Sequence, residues 1–190
     1  MPVTINGTTG FSTAGSELVS KVEWTTNTSS VTFTHDSSKY EQYLLTWWTD
    51  MNPSWNQTYL RFNNSSGVIS GASYYTTSSW QPSGNLTATA VSYNGAGGNT
   101  QTGIWLAGNG NDFDSHGMVL VSIPNTTVNY AAVRSQATLI KRVSGDPNTY
   151  LEQSSGSYMG AYANTITGFT IFGSGGASRR GVISVQGIKK

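Results

Sequence analysis

Apolar and polar residues alternate along most of this chain with a period of two. Residues 31–34, Val-Thr-Phe-Thr, show the alternation in its simplest form. Successive side chains of a β-strand point to opposite faces of a sheet, whereas an amphipathic helix repeats every 3.6 residues. The pattern therefore predicts strands at residues 18–24, 31–34, 43–48, 58–63, 72–76, 86–93, 103–107, 118–123, 130–139, 157–163, 166–172 and 181–188.

Clusters of Gly, Asn, Ser and Pro separate these segments. Residues 43–48 are apolar at every position except Thr46, which predicts a central strand covered on both faces. No window shows sustained helical periodicity. Turns are predicted at residues 63–67, 81–84, 94–99, 108–112, 144–147 and 173–176. About a dozen short strands joined by turns indicate a β-sandwich or a barrel.

The length of 190 residues fits one domain that buries its own core. Residues 18–190 are predicted to form that domain, and residues 1–17, with three glycines, an extended N-terminal arm. The arm has two interpretations. It is either a frayed terminus or a strand-like arm that docks on a neighbouring subunit.

Composition narrows the range of partners. The net charge is +1 and only 10% of residues are charged, against about 25% in a typical globular protein. Such a chain offers no basic field for nucleic acid or for anionic lipid. It contains no cysteine, so disulfides and thiolate metal sites are excluded. It lacks an N-terminal signal pattern and any apolar run of about 20 residues, so we expect synthesis in a cytoplasm and no membrane partner.

Catalytic residues are hard to assemble from this sequence. His35 and His116 are the only histidines. His35 is followed by Asp36 and Ser37, but adjacent residues on a strand point to opposite faces and cannot form a triad among themselves. No serine lies in a Gly-x-Ser-x-Gly turn, and most of the nine acidic residues lie at predicted turns or strand ends. We therefore expect a protein that is not an enzyme and that has no cofactor.

One loop, residues 109–116, is dense in oxygen ligands. Its candidate ligands for Ca²⁺ are Asn109, Asn111, Asp112 and Asp114. Ca²⁺ takes six to eight oxygens, but the loop lacks the glutamate that closes an EF-hand. The alternative is that Asn, Asp and Gly are here because they favour turns, and this interpretation is preferred.

The aromatic residues divide into two groups. Four tryptophans lie within predicted strands and are expected in the core: Trp24, Trp47, Trp48 and Trp105. Four aromatic residues lie beside predicted turns or close to one in sequence: Trp55, Trp80, Tyr74 and Tyr75. Exposed aromatic rings on a sandwich either anchor subunits of an oligomer or stack on sugar rings. Packing in the core or at an interface is preferred over sugar binding.

Four sequence blocks, in order, resemble a family of jelly-roll virion structural proteins of tailed bacteriophages, marine and cyanobacterial ones especially. The blocks are SVTFT with residues 40–45; LRFN with residues 73–75; residues 115–125; and residues 180–190, which end in Gly-Ile-Lys-Lys. The family's last block usually has Leu-Tyr where this chain has Val185-Gln186. The resemblance spans the chain from about residue 18 onwards.

The resemblance implies an all-β, single-domain antiparallel β-sandwich of the jelly-roll type. It further implies a structural protein on the particle surface: a capsid decoration or cement protein, or a fibre or tail-associated protein. Such a protein acts by binding copies of itself, as a homotrimer, and by docking on other virion proteins such as the major capsid or tail proteins. The alternative is a carbohydrate-binding module that attaches the particle to a host-surface glycan.

Overall fold

Antiparallel strands account for nearly all regular structure in this protein. The structure, a computed structural model, describes residues 5–6, 10–11, 15–50, 58–71, 73–82, 91–94, 103–107, 113–141, 149–173 and 180–190. The strands are β1 (Ile5–Asn6), β2 (Gly10–Phe11), β3 (Ser16–Trp24), β4 (Ser30–Thr34), β5 (Tyr40–Asp50), β6 (Thr58–Asn64), β7 (Gly67–Val68), β8 (Tyr74–Pro82), β9 (Val91–Asn94), β10 (Ile104–Ala107), β11 (Phe113–Ser122), β12 (Ala131–Lys141), β13 (Thr149–Tyr158), β14 (Gly168–Gly173) and β15 (Arg180–Lys189). Among these residues the one helical element is a 3-10 turn at Ala163–Thr165.

Two sheets face each other across the core. The larger has eight strands in the order β3-β15-β5-β11-β12-β13-β8-β9. The smaller has the order β10-β6-β14-β4, with β7 paired to β6. A separate two-stranded ladder joins β1 to β2. Every strand pair is antiparallel, which fits the predicted alternation of buried and exposed residues.

The connections between the sheets define a jelly roll. The chain alternates between the sheets from β3 to β6, runs through β10 and β11, and later passes from β14 to β15. The quartet β3-β15-β5-β11 therefore faces the quartet β4-β14-β6-β10, which is the double Greek key of this fold. Strands β12, β13, β8 and β9 extend the larger sheet on one side. The predicted fold class is confirmed.

The core lies between the two quartets. In β4 the alternation is complete, with Val31 and Phe33 buried and their neighbours exposed. The Phe33 ring packs on Phe169 at a centroid distance of 5.4 Å, and Phe169 packs edge-on against Tyr43 at 5.7 Å. Burying each such ring contributes a few kcal/mol. The core therefore joins β4, β14 and β5 across the sheets.

The prediction that residues 43–48 are covered on both faces is wrong. Tyr43, Leu45 and Trp47 are buried, but Leu44 and Trp48 are only half-buried. The reason is that the smaller sheet covers one face of the larger sheet, whereas no second sheet of described strands covers the other, where only the Arg180 guanidinium lies over Trp48, at 5.5 Å from the ring centroid. β5 is nevertheless a central strand, paired with β15 on one side and β11 on the other.

Strand β13 was not predicted. Its centre, Gln-Ser-Ser-Gly-Ser, carries no alternating apolar residues. The segment is extended because β12 and β8 flank it and supply a ladder on each side. The strand predicted at residues 157–163 ends at Tyr158, and the chain then reaches the 3-10 turn.

The predicted tryptophan positions are only partly correct. Trp24 and Trp47 are buried, as expected. Trp48 and Trp105 are half-buried instead. Trp48 lies on the uncovered face of the larger sheet, and Trp105 lies on β10 at the edge of the smaller one. Whether a strand lies at the centre or at the edge of its sheet depends on the strand order. The local pattern of apolar residues does not reveal that order.

The final residues of β15 are held by ion pairs. Lys189 Nζ lies 2.9 Å from Glu17, and Lys190 Nζ lies 3.2 Å from Glu41. Glu17 belongs to β3, so this strand begins at Ser16 rather than at the predicted residue 18. At Gly187 an added Cβ would lie 2.6 Å from the Tyr40 ring. The Gly-Ile-Lys-Lys ending thus has a local structural explanation in packing and ion pairing.

Candidate functional site

The uncovered face of the larger sheet, here called the outer face, carries the side chains that are available to a partner. Its residues form rows because opposite residues in an antiparallel ladder lie side by side. One row, ordered from β3 to β8, contains Leu18, Gln186, Leu44, Leu120, Arg134, Ser155 and Thr77. Up to Leu120 the row is apolar except at Gln186, and from Arg134 onwards it is polar. The outer face therefore has two halves of different chemistry.

The apolar half is defined by Leu18, Leu44, Trp48, Met118 and Leu120. Leu18 is 55% exposed, Met118 46% and Leu120 36%. Leu44 faces Leu120 directly across the β5–β11 ladder. Scattered exposed apolar residues are ordinary, but neighbouring ones on one sheet face mark a contact surface. The apolar half is thus suited to burial against another protein surface.

The polar half contains an open groove, defined by Thr77, Ser79, Arg134, Gln136, Gln153 and Ser155. The groove has a volume of about 500 Å³. A second depression of about 410 Å³ shares Thr77, Arg134 and Ser155 with it and continues to Tyr75 and Leu120. These volumes are in the range of small-molecule sites, about 300–1,000 Å³. The groove is the main candidate for a ligand site on the described part of the chain.

Arg134 lies at the centre of the groove. It stands on β12, opposite Leu120 on one side and Ser155 on the other. Ser155 Oγ is hydrogen-bonded to Thr77 Oγ1 at 3.0 Å. Among the described residues, no carboxylate lines the groove and none forms an ion pair with Arg134. An exposed guanidinium beside hydroxyl and amide groups is therefore available to an anion or to a sugar hydroxyl.

Two of the predicted aromatic candidates, Tyr74 and Tyr75, differ in their exposure to solvent. Tyr75 is 38% exposed and lies at the end of the groove, as a stacking residue would. Tyr74 is completely buried, so its prediction as an interface or sugar-stacking residue is wrong. The two residues are adjacent in β8 and so point to opposite faces.

Several predicted residues cannot be placed in a site. Trp55, Asn109, Asn111 and Asp112 lie outside the described residues, and of Trp80 and Asp114 only the backbone is described. Trp80 pairs with Glu152 across the β8–β13 ladder. In the described part of the chain, no group of three or more metal-binding side chains lies together. The Ca²⁺ site at residues 109–114 therefore stays a prediction.

The two histidines lie in different surroundings. His35 Nδ1 is 2.8 Å from the Tyr43 hydroxyl, which also accepts a hydrogen bond from the Asp36 backbone N–H at 3.0 Å. The Asp36 carboxylate accepts hydrogen bonds from Ser38. The His116 ring lies 6.2 Å from that of Trp48 on the outer face. His35 and His116 are thus held by tyrosine and tryptophan neighbours in the described structure.

Stability is expected to fall as the pH drops below about 6.5, because of His35. Burial, the largest cause, lowers the pKa of His35 from 6.5, whereas Asp36 opposes this shift and Lys190 adds to it. A histidine whose pKa is lower in the folded state resists protonation there, so the unfolded state gains protons first as pH falls. The loss begins near pH 6.5 and continues down through the folded-state pKa. The pKa of Asp36 is also lowered, mainly by its hydrogen bond from the Ser38 side chain. The loss of stability that this causes begins only as the pH falls below 3.8.

Urea unfolding at about pH 8 and about pH 5.5 measures this effect. The midpoint should be lower at the acidic pH for the wild type. His35→Asn places an amide where Nδ1 lies and does not titrate, so it should flatten the dependence. Equal pH dependence in the two proteins would show that His35 is not its source.

The groove was missed by the sequence analysis. In β12 the residues Arg134 and Gln136 alternate with buried Val133, Ser135 and Ala137, so their outward orientation could be predicted. The groove itself needs β13 and β8 beside β12, and β13 carries no strand pattern. The signal for the charge was present, whereas the signal for its surroundings was not.

Comparison with known proteins adds little to this geometry. No protein-family model matches the chain, and no curated protein matches it. Among solved structures, it has 9% sequence identity and a TM-score of 0.12 to a chain from Bacteroides vulgatus ATCC 8482 described as a "putative pore-forming toxin". The match covers 88% of this chain but 62% of that chain, so this chain spans less than two thirds of its length. A TM-score this low gives no shared fold, and no function is taken from it.

Among the described residues, no helix has the length and apolar character needed to span a bilayer.

Proposed function

We propose that this chain is a structural protein of a bacteriophage particle, exposed on the particle surface as a decoration, fibre or tail-associated protein. It acts by binding, not by catalysis, and needs no cofactor. The observation that carries the proposal is the apolar half of the outer face, where Met118 and Leu120 are exposed on the same strand. A sheet face of this kind is stabilised by burial in an interface.

Two further features support a role in assembly. The four sequence blocks resemble the jelly-roll virion proteins, and this chain has the jelly-roll topology. The surface also carries few charges, with 10% charged residues in the chain. A low charge density reduces repulsion between copies that pack at high local concentration. Self-association into a homotrimer, followed by docking on capsid or tail proteins, would use these features.

The proposed location follows from the proposed partners. The protein would be synthesised in the host cytoplasm and would function in the virion. The arm was predicted at residues 1–17, but Ser16 and Glu17 belong to β3, so it is the part before β3 that would supply a second contact with a neighbouring subunit.

Removing the exposed apolar side chains should weaken self-association. The double variant Met118→Ser/Leu120→Ser is expected to shift the purified protein from an oligomer to a monomer, because the apolar surface that it would bury is lost. Light scattering after size-exclusion chromatography measures the mass. Val128→Ser is the matched control, since Val128 is 71% exposed but lies in the loop between β11 and β12.

The proposal would be contradicted if two results were found together. The first is a wild-type protein that stays monomeric at every concentration tested. The second is the absence of the protein from purified particles, checked with labelled antibodies in the electron microscope. A wild-type oligomer that the double variant leaves intact would instead place the contact away from the apolar half.

The polar groove favours a second candidate function, a carbohydrate-binding module for host attachment. Carbohydrate sites combine hydrogen-bonding side chains with an aromatic platform, and the groove has both in Gln136, Gln153 and Tyr75. The two functions are compatible because the groove lies mainly on β8, β12 and β13 and shares with the apolar half only Leu120, on β11.

A further inference from the structure

We propose that the groove on the outer face binds an acidic polysaccharide, with the Arg134 guanidinium holding a sugar carboxylate. The inference rests on the second candidate function, carbohydrate binding, and adds to it the charge class of the sugar and the residue that selects it. It does not depend on the assembly role.

The charge of the groove comes from Arg134. Of the described residues that line the two depressions, Arg134 is the single charged one and none is acidic. Proteins commonly pair an arginine on a sheet surface with a carboxylate on the next strand. Here the cross-strand neighbours of Arg134 are Leu120 and Ser155, which cannot neutralise it. In the part of the chain that the structure describes, the groove therefore offers a cation without an ion-pair partner and without a neighbouring carboxylate, which favours an anionic ligand.

The geometry of the Arg134 guanidinium indicates the type of anion. A guanidinium forms two parallel hydrogen bonds to a carboxylate, and this geometry gives it specificity as well as affinity. A polyanion such as nucleic acid needs several cations along its backbone, and the groove has one. A chain of sugars with a carboxylate on one ring matches a single guanidinium better.

Beside Arg134, the groove is lined by amide and hydroxyl side chains. Gln136 and Gln153 face each other across the β12–β13 ladder, and each offers both donors and acceptors. Thr77 and Ser155 add hydroxyl groups at the centre. Sugar hydroxyls also donate and accept, so such a lining satisfies them in a way that an apolar pocket does not.

The two depressions together give the groove an elongated shape. The two depressions run along β12 from Gln136 to Ala132, a length of about 14 Å at about 3.4 Å per residue. Tyr75 lies at the Ala132 end, where Ser157 joins the two strands. Its exposed ring can stack on the face of a sugar. The groove therefore fits a short segment of an extended chain, with the carboxylate at its middle.

Oligogalacturonate, a carboxylate-bearing sugar chain, is the probe, and its methyl-esterified form is the matched neutral probe. Isothermal titration calorimetry with the full chain measures both. We expect binding of the acidic probe and affinity at least about 10-fold lower for the neutral one, the size expected from losing a hydrogen bond to a charged group.

Arg134→Gln should lower the affinity for the acidic probe by about 10- to 100-fold and leave the affinity for the neutral probe nearly unchanged. Lys21→Gln is the control. Lys21 lies on β3, in the same row of the outer face as Gln136. Its replacement removes the same charge at a point about 19 Å from Gln136. Tyr75→Ala should weaken both probes alike, because stacking does not depend on the carboxylate.

Four results would overturn the inference. Equal binding of the acidic and neutral probes would retain the carbohydrate-binding function but remove the charge selection. An Arg134→Gln protein that binds the acidic probe as the wild type does, or a Lys21→Gln protein that loses as much affinity, would remove the role of Arg134. Failure to bind either probe, or any member of a panel of acidic and neutral glycans, would remove the carbohydrate-binding function as well.

Discussion

Replacing Tyr74 by alanine is expected to lower the free energy of unfolding by about 3–5 kcal/mol, the range for losing a large buried aromatic side chain. Tyr74 is fully buried, and its ring lies 5.1 Å from that of Tyr158 and 6.5 Å from that of Phe62. Phe62 belongs to the smaller sheet, whereas Tyr74 and Tyr158 belong to the larger one. The substitution would therefore leave a cavity where the two sheets meet.

The Tyr74 hydroxyl adds a polar contribution that Tyr74→Phe isolates. It accepts a hydrogen bond from the Phe62 backbone N–H at 2.9 Å and donates one to the Ile69 carbonyl at 3.0 Å. Burial raises the pKa of Tyr74, so the hydroxyl keeps its proton and continues to donate. Its loss leaves a buried amide without its partner, which costs about 1–3 kcal/mol.

Urea unfolding of both variants, with Tyr75→Ala as control, measures these effects. Tyr75 is the exposed neighbour in the same strand, so its loss should change the free energy by about 0.5 kcal/mol or less. If Tyr74→Ala cost no more than Tyr75→Ala, the packing of β8 against β6 described above would be incorrect.

Introducing alanine at Gly117 is expected to cost about 1–3 kcal/mol, the usual range for overpacking a core. Gly117 on β11 pairs with Trp47 on β5, and the indole lies across the glycine. An added Cβ would overlap the ring of Trp47. The ring cannot easily move, because it is buried and its Nε1 donates a hydrogen bond to Ser115 Oγ at 3.1 Å.

The unfolding free energy of Gly117→Ala and its tryptophan fluorescence together test this contact. The matched control is Gly71→Ala, because an added Cβ at Gly71 meets no atom within 4 Å. The control should be neutral or slightly stabilising, since alanine restricts the unfolded chain. A Gly117→Ala protein as stable as this control would show that the Trp47 ring does not lie over the glycine.

The strands with strict alternation were predictable because each carries its own evidence. β4 and β15 have buried residues at every second position, and both lie close to their predicted bounds. β13 is different, since its conformation depends on the neighbours that flank it. Long-range pairing of this kind leaves no local pattern for a sequence to reveal.

The candidate site shows the same division at the level of single residues. The opposite orientation of Tyr74 and Tyr75 follows from the strand period, but which of them faces the core depends on where the second sheet lies. Arg134 could be placed on an outward position, whereas its lack of a cross-strand acid depends on Ser155, which lies 21 residues further along the chain in the unpredicted strand. Chemistry that depends on a single strand can be predicted, and chemistry shared by several strands cannot.

The position of β15 also bears on how the chain is made. β15 inserts between β3 and β5, so these two strands, formed from residues synthesised much earlier, cannot complete their ladders until residues 180–189 leave the ribosome. Until then β3 has no partner strand in the described sheet and β5 has one unpaired edge, and such edges are the kind of surface that pairs wrongly with another chain. Slower translation or a holding chaperone should therefore matter more to the yield of this protein than to that of a fold whose neighbouring strands are consecutive.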